Sequence, residues 1–133
     1  MRLLLASALA FAALPAVAAE PVSTGPVRGV HLTAWVGGSA KDRRAFLDRI
    51  PGSVVNAVVV PVKEYDGNVY IPGVASAAEL GTVRIAIPDP KGLVSDIKAR
   101  GLKAIARVVV FKDNKLARKR PVWGVQDEAG GLW

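Results

Sequence analysis

Between Val54 and Val62 the chain reads VVNAVVVPV, a nearly continuous β-branched run. A run without alternation is how a strand buried on both faces reads, as in a parallel sheet covered by helices. Pro61 falls near its C-terminal end, where a missing N–H is tolerated. Two other stretches read as strands. Arg28 to Val36 (RGVHLTAWV) alternates, with Val30, Leu32, Ala34 and Val36 on one face and His31, Thr33 and Trp35 on the other, and Gly37-Gly38 ends it. Leu102 to Phe111 contains IARVVVF, in which Arg107 lies four residues before Phe111 and so on its face.

Two segments carry helical spacing. Ser39 is placed to cap Ala40 to Ile50, whose apolar positions are Ala45, Phe46, Leu47 and Ile50, and Pro51-Gly52 stops it. Asp89 and Pro90 open a second helix over Lys91 to Arg100, with Leu93, Val94 and Ile97 as its stripe and Gly101 just past its end. Asp66-Gly67-Asn68 predicts a turn, and Val69 to Ile71 and Val83 to Ile87 predict short strands in an excursion. The order is strand, helix, strand, excursion, helix, strand. That is an α/β class with parallel strands and right-handed crossovers.

The first residues change the picture of where the fold begins. Met1-Arg2, the apolar run Leu3 to Leu14, Pro15 and the small residues Ala16 to Ala19 predict a cleaved export leader over residues 1–19. Residues 20–27 are then a linker, and the domain occupies 28–133, within the usual size of roughly 100–150 residues. The expected location is periplasmic or secreted, with membrane contact only through an uncleaved leader. The absence of cysteine excludes disulfides and thiolate chemistry.

The formal charge is +7. Between Lys103 and Arg120 seven basic residues face a single acid, Asp113. No aromatic residues interleave from Lys112 to Arg120 and no nucleic-acid motif accompanies them, so the cluster reads as a solvated face and no nucleic-acid partner is expected. One histidine and no cysteine argue against zinc, and no phosphate-binding or dinucleotide fingerprint is present, so no cofactor is expected.

Three strands cannot close a barrel, and the third would leave an apolar edge. Here a resemblance becomes informative. RGVHLTAWV (28–36), NAVVVPVKEYDG (56–67) and IARVVVFKDNKLARKRP (105–121), with the closing GGLW, resemble the N-terminal part of a bacterial family of glycoside-hydrolase-like domains of unknown function. The resemblance implies the first three βα units of a (β/α)8 TIM-barrel-like fold, truncated before the family's later strands. It implies hydrolysis of O-glycosyl bonds in a polysaccharide, a cell-envelope glycan being the expected partner. Two departures matter. Pro61 stands where the family pattern carries an aspartate, and the acidic, aromatic strand expected to supply a catalytic carboxylate lies beyond residue 133.

In a TIM barrel, functional residues sit at the C-terminal ends of strands. Those ends offer Trp35, Lys63, Glu64, Lys112 and Asp113, with Arg107 and Phe111 on the third strand. Trp35 reads equally as a sugar-stacking platform or as a core tryptophan closing the barrel end. Lys63 and Glu64 leave opposite faces of a strand, and Lys63, sharing a face with Val59 and Pro61, is the better inward candidate. Glu64 and Asp113 are the available carboxylates for a glycosidase pair. An Asp after Phe-Lys more often caps the next helix, here Asn114 to Lys119, so supporting roles are favoured for both. Arg107 is expected to pair with a carboxylate beyond residue 133. The rival to a hydrolase fragment is a small exported binding module using Trp35, Trp123, Trp133 and the basic cluster on an acidic glycan.

Overall fold

A computed structural model describes residues 25–132. The expected leader, most of the linker and Trp133 lie outside the described residues. Strand β2 (Ala57–Lys63) is central in a three-stranded parallel sheet, between β1 (Gly29–His31) and β3 (Lys103–Val108). From Ala57 on, the β-branched run is buried at Ala57, Val58, Val60 and Pro61, but Val54 to Asn56 precede the strand instead of belonging to it, and Val54 is 75% exposed. Helices alternate with the strands, so the order is that of partial βα units.

Helices α1 (Ala34–Gly38), α2 (Ala40–Leu47) and α4 (Pro90–Lys98) share one core with the sheet. Leu32, Leu47, Val58, Ile87, Leu93 and Ile97 are its best-buried side chains. The caps are those the sequence predicts: Ser39 Oγ accepts from Asp42 N, and an Asp89 carboxylate oxygen accepts from Gly92 N. Gly101 ends α4 at φ +70°. The ion pairs Arg43–Asp96 and Arg100–Asp48, each 2.6 Å, tie α2 to α4.

Three expectations need correction. The first strand stops at His31, and Trp35 lies on α1 rather than at a strand end. Thr33 is the reason: its hydroxyl accepts from Val36 N and starts a helix where alternation alone reads strand. Gly37 and Gly38 sit inside that helix because packing needs them small. A Cβ on Gly37 would press on Leu93 and Leu32 at 3.2 and 3.3 Å, and one on Gly38 would overlap the Ala86 carbonyl. The third strand ends at Val108, so Phe111 is fully exposed and not on the strand face of Arg107. Finally, Val69 and Val83 form only isolated bridges, with Lys63 and with each other, instead of short strands. Short α3 (Ala75–Glu79) lies between them.

Candidate functional site

The exits of β2 and β3 carry the polar cluster. Pairing runs Pro61 with Arg107, then skips Val62 and resumes at Lys63 with Val108. The skip is a local irregularity of the ladder at the end of β2. It coincides with the return of the excursion, where Tyr70 N donates to Val62 O at 2.9 Å. Lys63 reaches the end of β3, its Nζ donating to Val109 O at 2.7 Å and pairing with Asp113 at 2.8 Å.

Asp113 is a helix cap, as its position predicts. Its Oδ1 accepts from Leu116 N at the start of α5 (Asn114–Lys119), while Oδ2 holds Lys63. Burial opposes its ionised form, yet the hydrogen bonds from Lys63 and Leu116 outweigh that and hold its pKa below the usual value. Glu64 lies just past β2 and pairs with Arg107, which corrects the expectation that this arginine needs a carboxylate beyond residue 133. Parallel register is the cause: Arg107 sits opposite Pro61, three residues before Glu64.

A second layer, missed by the sequence reading, covers this one. Asp66 accepts from Asn68 N at 2.9 Å and from the Tyr70 hydroxyl at 3.3 Å, and Lys115 of α5 donates to Asn68. Burial opposes the Asp66 charge, but the Asn68 and Tyr70 bonds and the Lys115 charge hold its pKa below the ordinary value. Burial and then the neighbouring Asp66 charge push Tyr70 up. The signal was present in part, since Asp-Gly-Asn does make the turn, with Gly67 at φ +78°. What the turn holds depends on Lys115, far along the chain.

Tyr70 links the cluster to Trp35, their ring centroids 6.1 Å apart, and the Arg84 guanidinium lies 4.9 Å from the Trp35 ring centre. Trp35 is 55% exposed, so it is not a core tryptophan. Lys112 sits 5.2 Å from the Tyr65 ring centre. Phe111 lines an adjoining cleft of about 530 Å³ with Trp123 and Val125, a cleft that Lys112 and Asp113 of the cluster also line. Among the described residues no group of three His, Cys, Asp or Glu side chains could hold a metal, and no helix is long and apolar enough to cross a membrane.

Known proteins can be set beside this geometry. A family model described as "Putative glycosyl hydrolase domain" matches residues 29–133. A crystal structure of a hypothetical protein from Ruminiclostridium thermocellum ATCC 27405 is similar, with a TM-score of 0.70 and 28% identity over 78% of this chain. The match covers 55% of that protein, so this chain spans about half of its length. No curated protein matches the chain.

Proposed function

This chain belongs to the family of putative glycosyl hydrolase domains, and from that membership we propose that it forms a sugar-binding part of an exported hydrolase of O-glycosyl bonds in a polysaccharide. One observation carries the reading: half-exposed Trp35 adjoins a polar cluster built on the C-terminal ends of parallel strands. That end of the sheet is where α/β folds place ligands. The indole face suits the apolar C–H surface of a sugar ring, and Arg107 and Arg84 offer donors to hydroxyls. Glycosidic cleavage takes two carboxyl groups flanking the bond. Both oxygens of Asp113 are occupied and Glu64 is held by Arg107, so these two are scaffold, and the reacting carboxyls belong to strands that a closed barrel would place beyond β3. The apolar run Leu3 to Leu14 and the small residues Ala16 to Ala19, read as an export leader, are what support export toward an envelope glycan.

The same commitment of both carboxylates favours a second reading, binding without cleavage. Co-sedimentation of the full chain with a panel of insoluble polysaccharides tests what the two readings share. Retention on a glycan, lost in Trp35→Ala, is expected. No retention on any member, or retention indifferent to Trp35, overturns the site. Release of reducing ends by the same chain separates cleavage from binding.

A further inference from the structure

Resting on the glycan reading above, we infer that the saccharide is anionic, a polysaccharide carrying carboxylates on its sugar rings. The cluster holds five cations (Lys63, Arg84, Arg107, Lys112, Lys115) and three carboxylates (Glu64, Asp66, Asp113). Burial decides which of them a ligand meets. The Asp113 and Glu64 side chains are 7% and 15% exposed, whereas Arg107 is 40% exposed. Arg84 and Lys112 are exposed outright, and neither has an ion-pair partner among the described residues. Asp113 and Glu64 are turned in together with Lys63, whose side chain is 19% exposed, and Asp66 is half-buried, while Arg84, Lys112 and Lys115 face out.

Two of the outward cations also have a specific setting. Each lies against an accessible aromatic ring, Arg84 on Trp35 and Lys112 on Tyr65, which are 55% and 59% exposed. A cation stacked on a ring keeps N–H groups free at its edge. A ring and a cation side by side match a sugar that is apolar on its face and charged at its rim. A neutral glycan would use the rings and leave both cations without a counter-charge. A phosphate polymer would use the cations and leave the rings idle. The carboxylated sugar uses both.

Affinity electrophoresis of the full chain in gels containing polygalacturonate, alginate, a neutral β-glucan or polyphosphate tests the assignment. The variants are R84Q/K112Q and, as a control of equal charge loss, R49Q/K98Q, whose exposed residues sit by the C-terminal ends of α2 and α4, away from the cluster. The carboxylated gels should retard the wild type and the control alike, while R84Q/K112Q binds more weakly by roughly two- to five-fold per charge removed. Retardation should also fall as salt rises. Equal retardation by the β-glucan overturns the anionic assignment and leaves the glycan reading standing. No retardation in any glycan overturns both. Equal retardation by polyphosphate, or equal loss in the control, assigns the effect to net charge and overturns the inference.

Discussion

Asp113 offers the most quantitative test, because one carboxylate serves two separable ends. Its Oδ1 caps α5 and its Oδ2 holds the Lys63 ammonium. Losing a cap costs about 1 kcal/mol. Stranding a fully buried partner costs about 3–5 kcal/mol and an exposed one under about 1 kcal/mol. With its side chain 19% exposed and its bond to Val109 O retained, Lys63 falls between them, at about 2 kcal/mol. Asp113→Ala should therefore lose about 3 kcal/mol and Asp113→Asn, which keeps a capping oxygen, about 2 kcal/mol. Urea unfolding followed by far-UV circular dichroism measures both, and a cycle with Lys63→Met isolates the pair. Acid adds an independent readout. The folded pKa lies below the ordinary 3.8, so the unfolded chain takes up the proton first as pH falls. The stability contributed by Asp113 is complete above that ordinary value and is lost as pH drops through the lower folded one; Asp113→Asn should flatten this part of the acid limb. Equal stabilities for wild type and Asp113→Asn, or strict additivity with Lys63→Met, would refute the argument.

Four further outcomes follow from single contacts. Gly67→Ala should lose about 2–4 kcal/mol by thermal melting, since Gly67 sits at φ +78° and a Cβ there would collide with Asp113 Oδ1. Gly38→Ala, whose Cβ would meet the backbone oxygen of Ala86, should lose about 1–3 kcal/mol in the same assay. Arg107→Met leaves the largely shielded Glu64 carboxylate unpaired and should lose about 1–3 kcal/mol in urea, with Arg107→Lys restoring part of it. Trp35→Ala should cost under about 1 kcal/mol, because its visible partners are Arg84 and Tyr70, while abolishing retention on the glycan.

Legibility followed the range of the interactions. β2 and α4 could be read because their signals are local: a β-branched run, an Asp-Pro start and a glycine stop. The N-terminal strand was overread because RGVHLTAWV satisfies period two as far as Val36, and only the Thr33 hydroxyl decides that the chain turns into α1. Gly37-Gly38 then looked like a terminator, yet they allow α1 to approach Leu93 and the Ala86 carbonyl. Those contacts are tertiary and leave no mark in spacing. The residues at the strand exits were named from sequence, but not their pairings. Arg107 meets Glu64 through the register of two parallel strands, and Lys63 meets Asp113 across the exits of β2 and β3, fifty residues apart in the chain.

The same pairings bear on the chemistry. A general acid for glycosidic cleavage must hold its proton near neutral pH, which takes burial unopposed by donors. Asp113 has the burial, and burial is the largest single influence on it, but Lys63 and the α5 N–H groups reverse the outcome. It is thus a charged anchor for the rim at neutral pH. Glu64 is likewise tied by Arg107 and shielded to 15% exposure. Solvent meets an outer layer that includes Arg84, Lys112, Lys115, Trp35 and Tyr65, with Arg107 partly exposed. Inward carboxylates keep the cluster folded, and the outward cations and rings are what a glycan would meet.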